Sequence, residues 1–229
     1  MHFIKEYDKI MKIKGAIFDL DGVLLDSMFI WDTLGETYLK SQGIKPRKDV
    51  RETLRPMSLL QAAEYFRYEY GMIESVQEII DGINHLIEHF YFDLVKPKPG
   101  LLEFLDKLEE KNVKMCITTA TDRFMVDAAL KRNKMERYFG KIFTCTEVGQ
   151  GKDKPDIYLQ ALEFLGMTKR EVFVFEDALY AIKTAKDVGF SVVAVYDSTA
   201  QNQQNEIKKL ADAYITTFQE IENEVPAFK

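Results

Sequence analysis

The chain has 229 residues, 46% hydrophobic and 30% charged, with 12 Gly, 6 Pro and 2 Cys. This composition excludes collagen-like, disordered and disulfide-scaffolded classes and leaves room for one large domain or a core carrying a smaller insertion. Thirty-one Lys and Arg against 37 Asp and Glu give a net charge of -6, a balance that repels phosphate backbones and argues against a nucleic-acid partner.

No apolar run approaches the roughly 20 residues of a membrane span. The opening MHFIKEYDKIMK is too charged for the apolar part of a signal peptide, so the expectation is a cytoplasmic protein with no membrane attachment. Segment 1–12 reads as a short amphipathic arm on the core or as an extension. Ile13–Phe18 reads as a strand whose continuous apolarity points to burial on both faces, as in a parallel sheet. Residues 26–96 show helical periodicity without strands, through Ile30, Leu34 and Tyr38, then Leu59, Ala62, Ala63 and Phe66, then Ile79, Ile83, Leu86, Ile87 and Phe90. Gly43, Pro46, Pro56 and Gly71 punctuate them. The exit Lys96-Pro97-Lys98-Pro99-Gly100 is a stiff connection suited to a hinge.

Strands are then predicted at Val113–Thr118, Lys141–Cys145, Val172–Phe175, Ser191–Val195 and Ala213–Ile215, with helices at about 100–110, 122–133, 155–165 and 178–187. The polar stretch Thr199–Lys208 reads as surface helix or loop. Cys116 and Cys145, each in a predicted strand, read as reduced core residues. The alternation predicts an α/β fold: a doubly wound, Rossmann-like parallel sheet core made of residues 1–25 and 97–229, with an all-helical domain of residues 26–96 inserted.

Chemistry concentrates at the strand ends. In Phe18-Asp19-Leu20-Asp21-Gly22, two carboxylates lie two residues apart where a buried strand stops, and Gly22 lets the backbone turn beyond them. Close carboxylates repel one another, and a hard cation relieves that. Thr119-Ala120-Thr121-Asp122 offers a hydroxyl and backbone N–H groups before a helix, an arrangement that holds anions, with Thr121 or Asp122 as N-cap. Lys152, in Gly149-Gln150-Gly151-Lys152-Asp153-Lys154-Pro155, can reach back over the sheet to a phosphate. Glu176-Asp177, ending the fourth strand, can complete a Mg²⁺ site with Asp19 and Asp21.

On FDLDGVLLDS (18–27), ITTATD (117–122), GKDKPDIYL (151–159) and VFVFEDALYAI (172–182), the chain resembles the haloacid dehalogenase superfamily over nearly its whole length. The likeness is to the phosphatase and β-phosphoglucomutase-like members with a helical cap. The resemblance implies Asp19 as a nucleophile that becomes an aspartyl-phosphate, and Asp21 as general acid and then base. It implies Thr119, Ala120 and Lys152 around the phosphoryl group, and Mg²⁺ held by Asp19, Asp177 and the carbonyl of Asp21, with Glu176 as direct or outer ligand. The implied activity is Mg²⁺-dependent hydrolysis of small phosphomonoesters of sugar-phosphate, phosphoglycolate or nucleotide type. The implied partner is a small phosphorylated metabolite, and the chain is expected as a monomer or weak homodimer.

Departures from the family pattern matter. Asp153 replaces the first Pro of the third motif, which makes Lys154 a rival to Lys152, and Thr118 competes with Thr119 in the second. Asp21 argues against dehalogenation. Where mutases of this subgroup carry a hinge histidine and a cap arginine, this chain has Trp31 and Leu59, with Arg55 near enough to reach the site, so hydrolysis is preferred over a mutase. A phospho-accepting receiver domain is disfavoured because its acidic pair follows the first strand, whereas here Asp19-x-Asp21 comes first. His85 and His89, four apart on a helix, lack a third zinc ligand and read as surface residues. Tyr65–Tyr70 reads as cap core, and Trp31 lies near the substrate entrance.

Overall fold

The structure, a computed structural model, describes residues 13–228; the arm or extension expected at 1–12 lies outside them. Strands β1 (Gly15–Phe18), β2 (Lys114–Thr119), β3 (Phe139–Thr144), β4 (Val172–Glu176), β5 (Ser191–Val195) and β6 (Ala213–Ile215) form one sheet in the order β3-β2-β1-β4-β5-β6. Every pairing is parallel. All four residues of β1 are buried, because Ala16 and Phe18 pack into one hydrophobic cluster and Ile17 into the other. That two-sided burial is why the strand reads as a continuous apolar run. Phe18 stacks on Phe175 of β4 with ring centroids 4.4 Å apart, fixing the register in which the ends of β1 and β4 lie side by side.

Between residues 26 and 95 the regular structure is helical: α1 (Met28–Ser41), α2 (Val50–Leu54), α3 (Leu59–Tyr70), α4 (Val76–His89) and a π-helical turn, Phe90–Leu94. Local chemistry sets their limits. Ser58 with Gln61 and Ser75 with Glu78 form capping boxes at the starts of α3 and α4, and Gly71 closes α3 in the left-handed conformation. Ile79, Ile80, Ile83 and Ile87 make the buried face of α4. Phe66 is buried against Tyr38, Tyr65 and Tyr70, so most of the aromatic stretch is packing, while Tyr68 is exposed.

The remaining helices flank the sheet. They are α5 (Leu101–Glu110), α6 (Arg123–Arg132), α7 (Cys145–Val148), α8 (Asp156–Leu165), α9 (Leu179–Asp187), α10 (Gln204–Leu210) and α11 (Ile221–Glu224). Cys145 requires a correction: it is not in a strand but opens α7. The Thr144 hydroxyl accepts from the Glu147 N–H and the Glu147 carboxylate returns to the Thr144 N–H, ending β3 one residue early. Both cysteines are buried and free, and burial pushes each thiol up to about 12.

The two chain crossings between the sheet and the helical insertion run side by side. Asp26 N–H donates to the Lys96 carbonyl and Lys98 N–H to the Leu24 carbonyl, both at 2.9 Å, and Leu25 bridges Pro97 in antiparallel fashion. The Lys98 ammonium sits 2.8 Å from Asp197 and 3.6 Å from Asp26. No helix among the described residues is long and apolar enough to cross a membrane.

Candidate active site

The carboxyl ends of β1 and β4 meet at the centre of the sheet, where strand order reverses and open α/β sheets place their ligands. Asp19 follows β1 directly, and Glu176-Asp177 ends β4. Lys152 arrives from the loop between α7 and α8, 3% exposed, with its ammonium 2.6 Å from Asp19 Oδ1 and 2.6 Å from Glu176 Oε1. Tyr158 of α8 donates to the same Glu176 oxygen at 2.7 Å. Lys154 lies outside, exposed, 4.0 Å from Asp153. The loop reaches this depth because Gly151 has no side chain; a Cβ there would stand 2.7 Å from the Pro56 carbonyl and 2.8 Å from Gln61 Oε1.

Burial holds the carboxyls of Asp19 and Asp177 well above the usual carboxylate range, aided by Glu176 beside Asp19 and by Asp19 beside Asp177. Burial works against the Lys152 ammonium, but Asp19 and Glu176 more than offset it, so its pKa stands above that of an ordinary lysine. Asp19, Glu176 and Asp177 bring one carboxylate oxygen each within 4.8 Å of one another. Three buried carboxylates against one ammonium leave negative charge uncompensated, and all-oxygen donors suit a hard divalent ion such as Mg²⁺. The donor set therefore fits. Gly22 makes it possible, with φ +80° and a missing Cβ that would fall 2.5 Å from Asp177 Oδ2.

The Asp21 carboxylate, expected among the metal ligands, is not part of that cluster. Three hydroxyls donate to its oxygens: Ser27 at 2.6 Å and Tyr91 on Oδ1, Thr121 at 2.5 Å on Oδ2. Trp31 Nε1 in turn donates to the Tyr91 hydroxyl. Thr119 is fully buried and its Oγ1 accepts from the Thr121 N–H at 3.0 Å. The neighbouring Thr118 hydroxyl is buried with no partner among the described residues. Asp122 takes the N-cap position of α6, but its side chain does not cap; it accepts from Asn84 of α4 and Thr146, each at 2.8 Å.

Over Asp19, Asp21, Ala120, Lys152 and Asp177 lies a cavity of about 280 Å³. Its far wall comes from the helical insertion through Trp31, Leu34, Leu54, Arg55, Leu59 and Phe66. Arg55 does line the cavity, with Nη2 donating to the Thr199 carbonyl at 2.8 Å. Arg51 is taken up by Glu36 and Asp32 at 2.7 and 3.2 Å. His85 and His89 stay exposed, each beside its own acidic neighbour, Glu88 or Asp93.

Sequence reasoning passed over several residues here. Tyr91 sits inside Phe90-Tyr91-Phe92 and reads as helix packing. Thr121 reads as a cap, and Thr199 and Asn202, which line the cavity, belong to a stretch expected on the surface. Ser27 closes the first motif, and its hydroxyl was the one available signal.

A doubly wound α/β sheet with charged side chains converging where its strand order reverses defines an enzyme of the Rossmann-like class. Residues 16–195 match the family model described as haloacid dehalogenase-like hydrolase, and the chain belongs to that family. It is 25% identical to a phosphorylated carbohydrates phosphatase of Thermotoga maritima over 77% of this chain and 82% of that protein. It is 27% identical to (DL)-glycerol-3-phosphatase 2 of Arabidopsis thaliana, over 90% and 87%. A crystal structure of a CbbY variant from Rhodobacter sphaeroides, in complex with xylulose-(1,5)bisphosphate, superposes with a TM-score of 0.80 at 17% identity, covering 95% of this chain and 99% of that one.

Proposed function

We propose that the protein is a Mg²⁺-dependent phosphohydrolase of small phosphomonoesters, working through an aspartyl-phosphate on Asp19. The observation that carries this reading is Lys152, buried between Asp19 and Glu176 and lining the cavity above them. Such an ammonium binds phosphoryl oxygens and restrains the nucleophile at once. The names of the relatives, phosphatases of phosphorylated carbohydrates and glycerol 3-phosphate, support the same chemistry.

In the first transfer an Asp19 carboxylate oxygen attacks phosphorus, the ester P–O bond breaks, and Asp21 delivers a proton to the departing oxygen. In the second, Asp21 takes a proton from water, the water oxygen attacks phosphorus, and Asp19 leaves with inorganic phosphate released. Thr119, the Ala120 N–H and Lys152 hold the phosphoryl oxygens. Asp19, Asp177 and the Asp21 carbonyl, with Glu176 beside them, would hold Mg²⁺, which would supply charge neutralisation to the transferring group.

Residues 26–96 act as a cap that excludes water and selects the leaving group through the Trp31, Arg55 and Phe66 wall. The indole of Trp31 brings no acid–base group to that wall, which favours hydrolysis over a mutase. The candidate substrates are sugar phosphates, phosphoglycolate and nucleoside monophosphates.

The test is phosphate release from a panel of these esters, with Mg²⁺ or EDTA, for wild type and Asp19→Asn. Release that needs Mg²⁺ and vanishes in the variant is expected. Folded, Mg²⁺-loaded protein that releases phosphate from none of them overturns the reading.

A further inference from the structure

Asp21 is gripped from two sides. Ser27 and Thr121 come from the segments that follow β1 and β2, whereas Tyr91 belongs to the helical insertion, in the π-helical turn after α4. Tyr91 is fully buried, and its hydroxyl accepts from Trp31 of α1 while donating to Asp21. Burial and the Asp21 carboxylate hold the phenol well above its ordinary pKa, so it stays a donor. The π-helical turn has a local purpose here. One extra residue per turn rotates the chain at Phe90–Leu94 relative to α4, and π-turns of this kind recur at functional sites.

Asp21 and Tyr91 are 70 positions apart in the chain, one after β1 and the other in the helical insertion, so the contact joins the insertion to the sheet. The phenol is fully buried, so an unmade hydrogen bond there is costly, and the half-buried indole supplies its donor. Trp31 has one N–H and spends it on Tyr91; Tyr91 has one O–H and spends it on Asp21.

We propose that Tyr91 is a positioning residue for the Asp21 carboxylate, fixed by Trp31, so that the helical insertion sets the orientation of the acid–base group. This rests on the reading of Asp21 as general acid and base. The insertion thus does more than enclose the substrate. Where it sits decides which way Asp21 faces.

The test uses Tyr91→Phe, which keeps the ring and removes one hydroxyl, with Trp31→Phe as an independent variant. For each, kcat/KM is measured with an alkyl phosphate and with p-nitrophenyl phosphate. The alkyl oxygen needs a proton to depart and p-nitrophenolate does not. The expected result for both is a drop of about tenfold or more for the alkyl ester and a much smaller one for the aryl ester, with little change in KM for Tyr91→Phe, since Tyr91 does not line the cavity. Equal losses on the two esters make Tyr91 a mere packing residue and overturn the proposal.

A second readout does not depend on turnover. Trp31 is the single tryptophan of the chain, so Tyr91→Phe is expected to shift its emission spectrum; an unchanged spectrum breaks the Trp31–Tyr91 link and the proposal with it. Absence of phosphate release by the wild type, with the spectral shift present, would count against the phosphatase reading and remove the acid–base role while leaving the contact itself demonstrated.

Discussion

Lys152 stands 2.6 Å from Asp19, with both side chains almost out of solvent. The ammonium is one cation set against the three carboxylates of Asp19, Glu176 and Asp177, so the two members of the pair have opposite effects when removed. Lys152→Met takes away the cation paired with this cluster. Metal-free protein is expected to lose about 3 kcal/mol or more, and phosphate release is expected to fall at least about a hundredfold. Asp19→Asn removes a buried negative charge instead, so it is expected to abolish turnover while raising the Tm in EDTA. Thermal unfolding of the two variants beside wild type checks both signs.

The raised carboxyl pKa values of Asp19 and Asp177 give the metal-free protein a defined pH response. Burial is the main cause for each. Since the folded values lie above those of the unfolded chain, their contribution to stability is complete at acid pH, below the usual carboxylate range. It is lost as pH rises through the raised values. Mg²⁺ binds the ionised form, so the Tm increment it confers should grow from mildly acid to mildly alkaline pH. An increment that is flat across that range would separate the metal from these two carboxylates.

Thr118 and Thr119 offer a clean contrast. The Thr118 hydroxyl is buried without a partner among the described residues, whereas Thr119 receives the Thr121 N–H beside the site. Thr118→Val is expected to leave turnover intact and to stabilise by about 1 kcal/mol, since it deletes an unsatisfied buried group. Thr119→Val should lower kcat/KM by about tenfold or more. If the two variants exchange these behaviours, the phosphoryl-binding hydroxyl has been placed on the wrong threonine.

Gly22 is constrained twice, by its positive φ and by Asp177. Gly22→Ala is expected to weaken Mg²⁺ binding more than it weakens the fold, because the new methyl group presses on a metal-side carboxylate. Titrating activity with Mg²⁺ at matched protein stability distinguishes the two effects. A variant needing no more Mg²⁺ than wild type would show that Asp177 has room to yield.

Much of this arrangement is legible in the sequence because it depends on local rules. Strands buried on both faces leave apolar runs, and the residues that follow them, Asp19, Ala120, Asp177, must emerge on one edge of the sheet. Strand limits moved by one or two residues where capping competed with pairing, as at Thr144 and Cys145. What stayed hidden depends on long-range apposition. Nothing about Phe90-Tyr91-Phe92 distinguishes the tyrosine from its packed neighbours until residue 91 meets residue 21. Thr199 and Asn202 are ordinary polar residues in a polar stretch, and they line the cavity only because the chain after β5 turns back toward α2 and Arg55.

The paired crossings at Leu24–Asp26 and Lys96–Lys98 have a mechanical consequence. Two independent tethers would let a helical body swing, slide and rotate over the sheet. Joined by two backbone rungs, they behave as a narrow ribbon, which bends easily across its plane and resists shear and twist along it. A ribbon of this kind would limit any excursion of α1–α4 to one swing, and would bring Trp31, Arg55 and Tyr91 back to the same positions on its return. Precision at the strand ends is then inherited from the geometry of a strip only a few residues long, far cheaper in ordered chain than a broad interface.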